Sequence, residues 1–306
     1  MNGERPVLTS ELMARVRAIE IRTHKLVNTA LSGGYRSSFR GQGIEFQEVR
    51  AYQPGDDVRR IEWNVTARTG EAFVKNYAEE RELTVQLIVD SSRSMDLGSA
   101  EWTKREIAAQ FAALIAFVGL RHGDRVGLTL FGEQPGLHLP PRKGSQHVLR
   151  IVREVLAARP TALGSRLGAA LEREERLLRR RSVVLVVSDF LSDSHAQSDW
   201  SATLTRLALR HDCIAVRVRD PLESELPPAG VLPLQALEGT ARVEADTRRA
   251  SVRAAWRAAF DAREVTLRAN LSRAQAELVD LDTTQDVGES VRAFFRRRTH
   301  VRGGSR

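Results

Sequence analysis

The chain has 306 residues, 42% of them hydrophobic, and carries 47 Lys and Arg against 39 Asp and Glu, a formal charge of +8 with a sequence pI near 10.4. That length and apolar content allow a sizeable core without covalent staples, and the single cysteine, Cys213, excludes an internal disulfide. Arginines interleave with acids, as in Glu172-Arg173-Glu174-Glu175-Arg176, which reads as solvated helix surface and argues against one continuous polyanion-binding face.

The first residues, Met1 to Pro6, lack the apolar core of a signal peptide, and no uncharged apolar run of about 18 residues follows, so a cytoplasmic protein without membrane insertion is expected. Residues 10–30 read as a helix, and residues 33–81 are rich in Gly, Arg and turn signals such as Gln53-Pro54-Gly55-Asp56. From Leu83 the pattern changes to short apolar runs alternating with amphipathic stretches, the mark of an α/β fold with a mainly parallel sheet. The runs Leu83 to Val89, Arg125 to Phe131, Val183 to Val187 and Cys213 to Val218 give four core strands. Helical spacing at Ile107, Phe111, Leu114, Ile115 and Val118 follows the first, and further helices fall near Gln146 to Ala157, Arg166 to Arg180 and Ser198 to Leu209. A β-like stretch at Gly230 to Val243 precedes one helical stripe through Val252, Trp256, Phe260, Leu267, Leu271 and Leu278, then a strand at Leu278 to Leu281 and a short helix after Asp286. The expected division is an N-terminal helix and lobe over residues 1–80, a core over 81–220, and a completing segment over 221–306.

The strongest chemical signal is Asp90-Ser91-Ser92-Arg93-Ser94, at the C-terminal end of the first core strand. Ligands of open α/β sheets bind in the crevice beyond the carboxyl ends of strands. Asp90, Ser92 and Ser94 alternate along the loop, so one carboxylate and two hydroxyls can converge as a hard, oxygen-only donor set suited to Mg²⁺, with Mn²⁺ or Ca²⁺ as alternatives. Thr161 and Asp189 lie in loops expected at the same sheet edge. The competing reading of the pentapeptide is a polar turn that caps the next helix.

The set Asp90, Ser92, Ser94, Thr161 and Asp189 resembles the metal-ion-dependent adhesion site of von Willebrand A domains, whose Rossmann-like fold is a mostly parallel sheet flanked by helices. Upstream, Gly33 to Phe46, Val49 to Asn64 and Ala67 to Gly70 resemble the signature of the bacterial domain-of-unknown-function family fifty-eight, with Glu62 where that family carries Asp. The resemblance implies a von Willebrand A-like core with an N-terminal accessory lobe. It also implies a Mg²⁺-dependent, non-enzymatic adaptor that takes an acidic residue of a client protein at the metal and works with a MoxR-type AAA+ ATPase in assembly, maturation or remodelling. In that lobe Ile44, Phe46, Val58, Ile61 and Trp63 can pack, while Asp56, Asp57, Arg59, Arg60, Glu62 and Arg68 alternate in sign.

Two other functions compete. A metal-assisted hydrolase needs a general base or a second metal, and the motif offers no obvious candidate. A nucleic-acid binder could use the terminal cluster Arg296-Arg297-Arg298, Arg302 and Arg306, which otherwise reads as a frayed, solvated end. His122 and His211 read as helix C-terminal caps, and Cys213 as a small buried hydrophobe.

Overall fold

The computed structural model describes residues 10–26, 35, 39, 48–53, 58, 61, 63–76, 82–160, 164–191, 197–236 and 241–303. Thr161 and most of the stretch from Gly33 to Glu62 lie outside the described residues.

A six-stranded sheet forms the centre. In chain order its strands are β3 (Thr84–Asp90), β4 (Arg125–Phe131), β5 (Pro135–Arg142), β6 (Val183–Ser188), β7 (Asp212–Arg219) and β10 (Glu277–Asp282), and in space they run β10-β7-β6-β3-β4-β5. Every pair is parallel except β4 with β5. Strand order reverses around β3: the chain leaves it on one side to form β4 and β5, then returns on the other to form β6. This is the α/β architecture expected from the sequence.

Alternating side chains split the core into two layers. Val85, Leu87 and Val89 of β3 face helices α1 (Ser10–Leu26), α3 (Lys104–Arg121), α4 (Ser145–Ala157) and α9 (Val287–Gly303), whereas Ile88 faces α5 (Leu167–Leu177), α6 (Gln197–Ala208) and α8 (Ala250–Arg273). Val16 and Ile19 of α1 belong to the first layer. Helix α3 is buried on all sides from Ile107 to Gly119, because it lies between the sheet and three other helices. A capping box starts it: Thr103 Oγ1 accepts from Glu106 N at 3.2 Å while Glu106 Oε2 accepts from Thr103 N at 2.8 Å.

Two small sheets complete the described elements. Strands β1 (Glu48–Ala51) and β2 (Phe73–Asn76) pair beside helix α2 (Trp63–Thr69), and β8 (Val231–Gln235) pairs with β9 (Arg242–Asp246) after the short helix α7 (Pro221–Ser224).

Four expectations need correction. Strand β5 was not anticipated, because Gly136, Pro140 and Pro141 disguise it; as an edge strand with two register shifts it tolerates residues that cannot donate to a ladder. The helical stripe stops at Arg273 rather than reaching Leu278: Gln275 adopts φ 53°, and the chain turns so that Leu278 enters β10. The closing helix is not short, spanning 17 residues, and it is not merely solvated, since Arg298 is buried and pairs with Asp212 and, at 3.0 Å, with Glu277. In the lobe, Val58 and Trp63 are 60% and 69% exposed, so these two do not pack as expected.

A polar cluster crosses the second layer. Gln86 Nε2 donates to Thr129 Oγ1 at 3.0 Å, and Thr129 Oγ1 donates to Glu174 Oε1 at 2.6 Å, with His138 Nδ1 2.8 Å from the same hydroxyl. Glu174 is fully buried, so this hydroxyl offsets part of its desolvation, at Oε1. Thr129→Val is expected to destabilise by about 2 kcal/mol, read as a lower urea midpoint at unchanged slope.

Cys213 is buried on β7, and burial pushes its thiol up to about 12. Native protein at pH 8 should resist iodoacetamide, and denatured protein should be labelled fully, as mass spectrometry would show. His122 is the C-cap residue of α3. His211 ends α6 through its amide on Leu207 O, while its Nδ1 accepts from Ser182 N at 3.2 Å. Among the described residues, no helix is long and apolar enough to cross a membrane.

Candidate functional site

Parallel pairing of β3 with β6 sets Val89 opposite Val187, so both strands end side by side where strand order reverses. The loops after them therefore meet. Asp90, Ser92, Ser94 and Asp189 are each at most 5% exposed. Four of the five residues singled out in the sequence thus come to one edge of the sheet, and the fifth, Thr161, lies outside the described residues.

Asp90 is the centre of the cluster. Its Oδ1 accepts from Ser92 N at 2.8 Å, and its Oδ2 accepts from Ser188 Oγ at 2.8 Å and Ser165 Oγ at 3.1 Å. The hydroxyls of Ser92 and Ser94 are 3.1 Å apart. Among the described residues no basic side chain pairs with Asp90, and burial, followed by the charge of Asp189, pushes its carboxyl up to about 6. A buried carboxylate ringed by hydroxyls and facing a second carboxylate is a place where a cation would relieve an electrostatic cost.

The loop itself is tightly held. Ser91 N and Ser91 Oγ both donate to Phe131 O at 2.7 Å, a single 3₁₀ turn at Arg93–Asp96 buries Met95, and Arg105 donates to Ser92 O at 3.1 Å and Asp96 Oδ1 at 2.7 Å. Gly164, at φ +108°, gives the segment before α5 the turn that precedes Ser165. After β6, Phe190 takes φ 56°, an uncommon conformation for a bulky residue; its amide donates to Ser188 Oγ at 3.0 Å and its ring packs on Trp200.

Asp189 has a different environment. Its Oδ1 accepts from Leu191 N at 3.1 Å and its Oδ2 from Lys104 Nζ at 2.6 Å, and Ser94 also hydrogen-bonds it. Burial alone would raise this carboxyl, but Lys104 outweighs it and holds the group below its ordinary value. Lys104 itself is fully buried and also contacts Glu223 Oε1. Glu223 Oε2 in turn accepts from Asp220 N at 3.2 Å, and Asp220 Oδ2 accepts from Ser99 N at 2.7 Å and Thr283 Oγ1 at 2.8 Å. Sequence reasoning missed Lys104, Glu223, Ser165 and Ser188. The one available signal was a lysine directly after the Thr103 cap, in the first turn of a helix whose macrodipole disfavours cations.

The donors fit a hard divalent ion. Asp90, Ser92 and Ser94 supply oxygens only, and one direct carboxylate leaves an ion with charge and coordination positions to spare. Among the described residues no three His, Cys, Asp or Glu side chains form a metal-ligand group, so a cation here depends on the serine hydroxyls. Beside the cluster, a cleft of about 190 Å³ is lined by Ser91, Ser92, Gly132, Glu133, Pro135 and Arg159, among others. A larger cleft of about 660 Å³ follows the outer edge of β10 and touches none of the cluster. Chemistry rather than size therefore selects the site.

A family model described as "Protein of unknown function DUF58" matches residues 48–266. The uncharacterized protein Rv1480 of Mycobacterium tuberculosis is 35% identical over 230 residues, which are 74% of this chain and 71% of that protein. The uncharacterized protein YeaD of Bacillus subtilis is 26% identical over 110 residues, covering 36% of this chain and 25% of that one. Among solved structures, BatB from Bacteroides thetaiotaomicron aligns with a TM-score of 0.48 at 13% identity, over 71% of this chain and 99% of that chain. A von Willebrand factor type A protein from Catenulispora acidiphila aligns with a TM-score of 0.43 at 11% identity, over 72% and 43%.

Proposed function

The chain belongs to the DUF58 protein family, and from that premise we propose that it is a Mg²⁺-dependent protein-binding adaptor of the cytoplasm and not an enzyme. The observation that carries this reading is the meeting of Asp90, Ser92 and Ser94 with Ser188 and Asp189 at the reversal point of the sheet, around a buried carboxylate with no basic partner among the described residues. Asp90, Ser92 and Ser94 would hold the ion. Thr161, close to Ser165 in the sequence, is a further candidate ligand, and Asp189 shapes the site through Ser94. When bound, the ion supplies an electrophilic position for a carboxylate of a client protein. The cleft lined by Ser91, Gly132 and Arg159 gives that residue's neighbours room to dock.

A MoxR-type AAA+ ATPase is the partner implied by the sequence resemblance, and it would supply the energy for assembly, maturation or remodelling of the client. Tagged wild-type protein is expected to co-purify with the ATPase in Mg²⁺ and to lose most of it in EDTA or as the Asp90→Ala variant. Equal recovery in all three would contradict the proposal. A hydrolase reading draws less support from Asp189, because its two oxygens already accept from Lys104 Nζ and Leu191 N. Nucleic-acid binding by the terminal arginines is weakened by the burial of Arg298.

A further inference from the structure

Lys104 sits where an ordinary lysine should not. It is fully buried, it lies in the first turn of α3 where the helix dipole is positive, and its ammonium is shared between Asp189 Oδ2, at 2.6 Å, and Glu223 Oε1. Burial and dipole both oppose its charge, so two carboxylates are needed to keep it there. Glu223 is itself fixed, because its second oxygen closes the capping box of α7, and Asp220 of that box is tied to Ser99 and Thr283. The ammonium is therefore held in place from both sides.

The consequence falls on the adjoining donor set. Both Asp189 oxygens already accept, from Lys104 Nζ and Leu191 N, so a cation at Asp90, Ser92 and Ser94 has to compete with an ion pair and an amide for this carboxylate. A cation in that position also faces a neighbouring positive charge that cannot leave. We propose that Lys104 is a tethered counter-cation that keeps Asp189 from direct coordination and weakens the site for divalent ions, so that firm metal retention requires a carboxylate from the partner. Glu223 is the opposing element: it draws the ammonium away from Asp189 and shares its charge. Lys104 is thus a positioning residue acting through Asp189, and this inference rests on the reading of the cluster as a Mg²⁺ site.

The test is calorimetric titration of MgCl₂ into the wild type, Glu223→Gln and the double variant Lys104→Met/Glu223→Gln, with circular dichroism to confirm folding. The double variant removes one charge of each sign, leaving the pocket's net charge unchanged while freeing Asp189. It should bind Mg²⁺ about tenfold more tightly than the wild type. Glu223→Gln, which leaves the ammonium wholly to Asp189, should bind more weakly. Opposite shifts from two changes in one cluster are not expected of a merely structural ion pair. Binding by the double variant but not the wild type would also support the inference. Wild-type binding with equal affinities, or with the reverse order, would overturn this inference and leave the metal site standing. Absence of binding in all three proteins would overturn both.

Discussion

Replacing Asp90 by Asn is expected to raise the melting temperature of the metal-free protein while abolishing its response to Mg²⁺. The buried Asp90 carboxyl is pushed up to about 6 by burial first and by Asp189 second, so at pH 7 its ionised form opposes folding. The shift from an ordinary aspartate is worth on the order of 3 kcal/mol, or about 5 °C for a chain of this size. Asparagine keeps an acceptor for Ser92 N and turns a donor toward the hydroxyls of Ser188 and Ser165. It removes the only charge directly on the proposed ion. Wild-type protein at 100 times its dissociation constant in Mg²⁺ should gain about 2.7 kcal/mol, and the variant should gain nothing. Thermal scans with and without Mg²⁺ check both halves. A variant that is less stable and still stabilised by Mg²⁺ would place the ion elsewhere.

The largest loss of stability is expected from Lys104→Met. The wild-type ammonium compensates two carboxylates that are nearly as buried as itself. Without it Asp189 and Glu223 face each other uncompensated, and breaking a buried pair from one side costs about 3–5 kcal/mol. The melting temperature should fall by about 5–8 °C. Adding Glu223→Gln should recover part of that loss, because one of the stranded charges disappears, and this non-additivity is what a double-mutant cycle measures. Two additive losses would show that Lys104 and Glu223 act separately. Surface pairs such as Arg257 with Asp261, both more than half-exposed or close to it, should contribute almost nothing by comparison.

The parts of the fold legible in the sequence are those governed by local rules. Runs such as Val183 to Val187 are too short and too β-branched for helices and became central strands, and the stripe Ile107 to Val118 became α3. The edge strand β5 was illegible because edge positions relax the very preferences by which strands are recognised, admitting Pro140 and Pro141. At the site, Asp90, Ser92 and Ser94 could be read because one loop carries all three, and Asp189 because it follows a recognisable strand. Lys104 could not be read in this way: its partners lie 85 and 119 residues away, and no local pattern reports a contact of that range. Ser188 was hidden as the last residue of a strand, although pairing of β3 with β6 puts it against Asp90. The rule broken at Lys104, a buried cation at a helix start, is the kind of local inconsistency that marks functional sites.

The most direct measurement is calorimetric titration of the purified protein with MgCl₂, alongside Asp90→Ala. Saturable binding at one site, absent from the variant, is the predicted result and would justify identifying the client carboxylate that completes the coordination. Wild-type binding that persists unchanged in Asp90→Ala would contradict the account, because the ion would then be held without the carboxylate around which Ser92, Ser165 and Ser188 are arranged.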